Sequence, residues 1–280
     1  MRAPERRRPL EFAVSITPEA GDPAKLLRLV GAAEEAGLEL VAIQDHPYQR
    51  RFLDTWTLLS FVAARTERVR LFPNVANLPL RPPAVLAKAA ASLDVLSGGR
   101  VELGLGAGFF WDGVAAMGGP RRGPGEAVDA LAEAIEIIRL VWSEERAVSY
   151  DGTYYSLSGL HPGPAPAHAI GIWLGALKPR MLALTGRAAD GWSVSLGYAG
   201  PDDLPAMQRR IDEAADAAGR PGAAIRRMLN VPGDVTADDL ARFVELGFDT
   251  FDAWPREDEE AAIRRFGEET APRVRELVGG

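Results

Sequence analysis

The sequence predicts an α/β fold: a single (β/α)8 TIM barrel over residues 1–280, with a short hairpin and loop insertion at its C-terminal face. Three observations predict it. Short β-rich runs alternate with amphipathic helical runs, as βαβ units do. Eight such units can be counted along the chain, the number a closed barrel requires. Several of the β-rich runs are apolar almost throughout, as strands covered on both faces must be.

The strand segments, in order, are EFAVSI (11–16), LELVAIQ (38–44), VRLFPNVA (69–76), RVELGLGAG (100–108), IGIWLGA (170–176), GWSVSL (191–196), AIRRMLNV (224–231) and FDTFDAW (248–254). The first helix is punctuated at both ends. Asp22 supplies a cap and Pro23 a first-turn proline, Leu26, Leu29, Val30 and Ala33 form one apolar stripe, and Gly37 stops it. Further helical patterns cover 54–66, 83–96, 125–142, 178–188, 201–218, 236–246 and 257–277, each ending near a glycine, a proline or a basic residue.

Two stretches break this rhythm. Residues 1–10, MRAPERRRPL, are basic with no apolar run behind them, and read as a frayed, solvated tail rather than a secretion signal. Residues 143–169 contain Asp151-Gly152 between alternating segments, which reads as a two-residue hairpin turn. The proline-rich HPGPAPAHA that follows cannot be helical. This stretch is the insertion, expected at the barrel mouth.

Composition narrows the partners. A net charge of −7 argues against a nucleic acid, whose binding needs a concentrated basic face. With no cysteine, disulfides, thiolate nucleophiles and cysteine-ligated metals are excluded. No apolar run approaches the ~20 residues of a membrane helix. The expectation is a soluble, cytoplasmic protein acting on a small molecule, with a homodimer left open.

In a barrel of this kind functional groups sit where strands end at the C-terminal face. After the second strand comes Gln44-Asp45-His46-Pro47-Tyr48, an acid beside one of only three histidines. A histidine titrates near neutrality and can serve as acid or base at a reacting atom. A purely hydrogen-bonded structural histidine is the alternative. The third strand is interrupted by Pro73-Asn74-Val75-Ala76, and a proline inside a buried strand marks a bulge or an early loop.

The fourth exit, Gly104-Leu105-Gly106-Ala107-Gly108, lacks the last glycine of a dinucleotide fingerprint, Phe109 standing there, and no good helix follows at once. Its glycines would let a flat ligand approach the backbone, and Phe109, Phe110 and Trp111 beyond could wall a pocket. At the fifth exit, Gly175-Ala176-Leu177-Lys178-Pro179-Arg180 leads into a helix whose free N–H groups and positive end suit a phosphate, with two cations beside them unless these are mere surface charges. No G-x-S-x-G elbow, P-loop or H-E-x-x-H is present, and His161 and His168 lie in the insertion, so neither a metal site nor a serine hydrolase is expected.

Taken in order, these pieces resemble the luciferase-like monooxygenase superfamily, which includes bacterial luciferase and enzymes of the deazaflavin coenzyme F-420 (F420). The matching stretches are 33–48, 81–108 and 172–192. The resemblance implies an isoalloxazine-like ring across the barrel mouth, with its phosphate at 175–180. It implies that Asn74–Val75 is a non-proline cis peptide forming a bulge against the ring, and that His46 lies beside the cofactor or substrate. The cofactor contacts it implies are Asn74, Val75, Gly106, Ala107, Gly175, Ala176, Leu177 and Lys178, with Tyr48 and Trp111 in the substrate pocket.

On this reading the chain is a flavin- or deazaflavin-dependent oxidoreductase transferring hydride, coenzyme F-420 being favoured over FMN, and His46 is its catalytic residue. Three alternatives stand beside it. One is an FMN-dependent monooxygenase, and another a non-catalytic flavin-binding barrel. The third is an unrelated sugar-phosphate barrel enzyme using Asp45, Asp190 or Asp252.

Overall fold

The computed structural model describes residues 8–279. Its first helix, α1 (Pro23–Glu35), begins where Asp22 Oδ1 accepts the Lys25 N–H at 2.8 Å, leaving one fewer orphan donor in the first turn. Gly37, at φ +78°, adopts the left-handed conformation that turns the chain into the next strand. The same alternation runs on. Strands β1 (Glu11–Ile16), β2 (Leu40–Ile43), β3 (Arg70–Pro73), β4 (Ala76–Asn77) and β5 (Leu103–Gly106) are separated by α1, α2 (Thr55–Ala63) and α3 (Pro83–Ser97). A short α4 (Trp111–Ala116), a long α5 (Pro124–Val141) and a hairpin of β6 (Val148–Asp151) and β7 (Ser156–Leu160) precede β8 (Ile172–Gly175). Then come α6 (Pro179–Ala188), β9 (Gly191–Ser195), α7 (Leu204–Ala217), β10 (Arg226–Pro232), α8 (Ala237–Glu245), β11 (Thr250–Trp254), α9 (Glu259–Arg265) and α10 (Ala271–Gly279).

The ring runs β3-β2-β1-β11-β10-β9-β8-β5-β4, all neighbours parallel. β3 and β4 are two halves of one strand position, broken at the cis peptide Asn74–Val75, so the nine strands fill eight positions. A parallel bridge between Leu71 and Val101 returns β3 to the chain entering β5, and the barrel closes.

Side chains alternate along each strand, and three layers fill the interior. The lowest is ionic: Arg70 pairs with Glu11 at 2.6 Å and with Glu102 at 2.9 Å. The middle layer is apolar, with Ala13, Leu40, Ala42, Phe72, Trp173 and Met228 buried together. Phe72 and Trp173 meet edge to face at 5.7 Å, and they fit because Gly104 and Gly191 are glycines, where a Cβ would overlap Pro73 O and the Trp173 ring. The uppermost layer is polar and belongs to the site. The outward faces of the strands join the helices in the main core.

Four expectations are corrected. The insertion does not sit at the mouth: it connects the end of α5 to the start of β8, which is the N-terminal side of the barrel, and lies along α5. There the Glu133 carboxylate accepts the N–H groups of Thr153, Tyr154 and Tyr155 at 2.7, 2.9 and 3.1 Å. Those bonds also explain why the hairpin turns through residues 152–155 instead of a two-residue Asp151–Gly152 turn, because the carboxylate satisfies donors that a tighter turn would have to satisfy itself. Of the expected frayed tail, 1–7 lie outside the described residues. Residues 8 and 9 are tied to the barrel base, Arg8 Nη2 donating to Ala224 O at 2.8 Å and Arg226 Nη2 to Pro9 O at 3.0 Å. The helix expected at 257–277 is two helices joined by a π-helical turn over Phe266–Thr270, where Gly267 approaches Ala36. Among the described residues no helix is long and apolar enough to cross a membrane.

Candidate active site at the barrel mouth

The broken third strand carries the site. Between β3 and β4 the chain rises as a bulge, and Val75 reaches over the ends of β5 and β8. A Cβ on Gly106 would come within 2.9 Å of Val75 Cγ2, and one on Gly175 within 3.3 Å, so Val75 occupies a notch that only glycines leave open. Asn74, Val75, Gly106, Ala107, Gly175 and Leu177 are all half-buried, forming a ledge partly open to solvent. Ala176 departs from this set: its side chain is buried, and its carbonyl accepts the Trp192 indole N–H at 2.9 Å.

His46 stands at the exit of β2, half-buried, with Nδ1 2.8 Å from the Tyr48 hydroxyl. Burial pushes its pKa below the ordinary histidine value, the opposing pull of the Asp45 charge being weaker, so the ring is neutral at pH 7. Tyr48 is pushed upward by burial, which keeps its proton in place. The wall continues through Phe110, stacked on Tyr48 with centroids 5.6 Å apart. Trp111 packs against Gly108, and Gly113 lets α4 lie against the Tyr48 ring.

The neighbouring acid plays a different part from the one its position suggests. Asp45 is 2% exposed and is gripped by Arg81, Nε to Oδ2 and Nη2 to Oδ1 both at 2.8 Å, while the Asn77 N–H donates to Oδ2 at 2.9 Å. It ties β2 to β4 and does not face the mouth as a free base. Asp190 likewise caps the start of β8, accepting the Ile172 N–H at 2.9 Å on the far side of the barrel. At the fifth exit Lys178 is exposed at the start of α6, but Arg180 is paired with Asp129 at 2.7 Å, which leaves one cation where two were expected. Among the described residues no cluster of histidines and carboxylates could hold a metal ion.

Beneath the ledge lies a polar layer that sequence reading largely missed. Asp252 is fully buried, and its Oδ2 accepts from Ser15 Oγ at 2.6 Å, Asn74 Nδ2 at 2.9 Å and Trp254 Nε1 at 3.1 Å. Asn74 Nδ2 also donates to Asn230 Oδ1 at 3.1 Å, and Ser193 Oγ donates to Asn74 Oδ1 at 3.2 Å. Burial without a cation pushes the Asp252 carboxyl up to about 7, against the pull of its three donors. The available signal was positional: Ser15, Ser193, Asn230 and Asp252 each interrupt an apolar strand near its exit.

Fold and site together define a TIM-barrel enzyme with its working groups at the C-terminal ends of the strands. More particularly, the chain belongs to the luciferase-like monooxygenase family, whose model matches residues 9–272. It is 33% identical over 231 residues to the F420-dependent glucose-6-phosphate dehydrogenase of Kineococcus radiotolerans, covering 80% of this chain and 67% of that one. With the 5,10-methylenetetrahydromethanopterin reductase of Archaeoglobus fulgidus it shares 32% identity over 220 residues, 75% of this chain and 60% of the relative. The barrel superposes on an F420-dependent secondary alcohol dehydrogenase solved with an F420-acetone adduct, at a TM-score of 0.85 and 18% identity, covering 96% of this chain and all of that one.

Proposed function

We propose that the chain binds coenzyme F-420 across the barrel mouth and transfers hydride between it and a small organic substrate. The observation that carries this is the Val75 ledge over Gly106 and Gly175, placed beside His46: a flat, partly apolar floor with a titratable group at its edge. The F420-dependent relatives support coenzyme F-420 over FMN. Family membership keeps FMN as the second reading.

When bound, the cofactor supplies two-electron hydride chemistry. The chain's residues do the rest. Val75, seated over the glycines at 106 and 175, would present the floor to the ring, Ala107 and Leu177 would flank it, and the N–H groups opening α6, with Lys178, would take the phosphate. His46 holds the proton that accompanies the hydride. Where Nδ1–H donates to the Tyr48 oxygen, Nε2 presents a lone pair and accepts a proton; in the other tautomer Nδ1 accepts from Tyr48 and Nε2–H donates one. One neutral imidazole thus serves oxidation or reduction. Tyr48, Phe110 and Trp111 exclude water from one side of the substrate pocket.

Titration of the purified chain with coenzyme F-420 and with FMN, followed by fluorescence, tests the reading. Saturable binding of the deazaflavin is expected, and binding of neither sinks it. His46→Ala is expected to bind cofactor and lose turnover; unchanged turnover would remove the catalytic assignment.

A further inference from the structure

We propose that Asp252 is the positioning residue of the cofactor floor, acting through Asn74 to hold Val75 over Gly106 and Gly175. This rests on reading the mouth as a cofactor site. Asn74 is saturated by three other strands: Asp252 on β11 and Asn230 on β10 take its two amide protons, and Ser193 on β9 donates to its oxygen. Asp252 decides which way that amide faces. Its Oδ2 accepts from all three of its partners, so it draws Nδ2 toward β11 and leaves the Asn74 Oδ1 to Ser193. Val75 is the next residue, and its position over the two glycines follows from where Asn74 is pinned.

A barrel layer needs no carboxyl to be filled. The layer immediately below does it with alanine, leucine, phenylalanine, tryptophan and methionine. Asp252 is buried completely, and its second oxygen, Oδ1, has no partner. Leaving a buried acceptor unmade opposes stability, so a group kept at that cost marks a working position. Its neighbours carry no charge: Ser15 faces it from β1, Asn74 from the broken third strand and Trp254 from its own strand, with Asn230 beside it on β10. Nothing but hydrogen bonding therefore holds the carboxyl, and its link to a strand position that is not its neighbour is to Asn74.

The test uses two readouts. The sequence contains three asparagines, Asn74, Asn77 and Asn230, so selective 15N labelling gives a side-chain amide spectrum simple enough to assign. In the cofactor-free protein, Asp252→Leu is expected to shift the Asn74 amide pair. Its coenzyme F-420 dissociation constant is expected to rise about tenfold, the loss of one buried hydrogen bond. Asp252→Asn, which keeps an acceptor of the same shape, is expected to restore both. A leucine variant with wild-type affinity, or an unmoved Asn74 pair, overturns the assignment. If the leucine variant fails to fold, pH decides: the wild-type Asn74 pair is expected to move as Asp252 titrates and the Asp252→Asn pair to stay still, and identical behaviour overturns the proposal. A wild-type chain that binds neither cofactor sinks the cofactor reading itself; normal wild-type binding with unchanged leucine-variant binding sinks this assignment alone.

Discussion

Val75 Cγ2 stands 2.9 Å from where a Cβ on Gly106 would lie, closer than two such carbons can approach. A side chain there must displace Val75 or twist the end of β5. Gly106→Ala is therefore expected to weaken cofactor binding by about 1–3 kcal/mol, the usual cost of overpacking, while the barrel still folds. Gly175→Ala, with 3.3 Å to the same residue, is expected to cost clearly less. Isothermal titration of both variants checks the order; equal losses would show that Val75 is not the object in the way.

The Asp45–Arg81 pair is a structural tie, and its removal should read as lost stability. Asp45 is buried and takes two guanidinium bonds and the Asn77 N–H, while Arg81 also reaches Asp54 at 2.7 Å. Arg81→Met leaves a buried carboxylate unpaired, which costs about 3–5 kcal/mol. A fall in the urea midpoint with an unchanged slope is the expected result. Loss of turnover without loss of stability would instead place Asp45 in the chemistry.

His46 should titrate below the ordinary histidine range, because burial disfavours its imidazolium more than Asp45 favours it. If a neutral His46 accepts the proton, kcat/KM for oxidation should rise with pH along a limb centred below about 6.5 and then level off. Tyr48→Phe removes the partner of Nδ1, 2.8 Å away, and is expected to lower kcat/KM by about 10–100-fold with cofactor affinity intact. A pH-rate profile of both proteins measures this, and a wild-type limb above 7 would contradict the burial argument.

What could be read from the sequence follows periodicity. Asp22, Pro23 and Gly37 announce α1 because caps are local chemistry, and Pro73 announces a break in the third strand because a missing N–H is visible in the residue itself. The direction in which the 143–169 insertion packs is set by Glu133, twenty residues away from the turn it caps, and no local pattern records that contact. The same limit applies to Arg180 and Asp129, and to Asp45 and Arg81: in each case an ion pair between different elements removes a charge that looked free in sequence. Asp252 was visible as an acid at a strand exit. Its importance appears only once five strands bring Ser15, Asn74, Ser193 and Asn230 into one layer.

Asp252 also makes a prediction about stability alone. Its folded-state carboxyl titrates at about 7, whereas an unfolded chain's aspartate titrates near 3.8. Between those two values the native state keeps a proton that the unfolded state has released, so stability falls as pH rises across that window and is flat in this respect on either side. The slope belonging to one such group is on the order of 1 kcal/mol per pH unit. Asp252→Asn keeps the shape and has no proton to lose, so the difference in unfolding free energy between variant and wild type should grow in favour of the variant from pH 4 to pH 7 and then stop growing. Urea unfolding at half-unit pH intervals measures that difference directly, and other titrating groups cancel in it. A difference that stays constant across the window would mean that Asp252 is already ionised in the folded barrel, its three donors outweighing its burial.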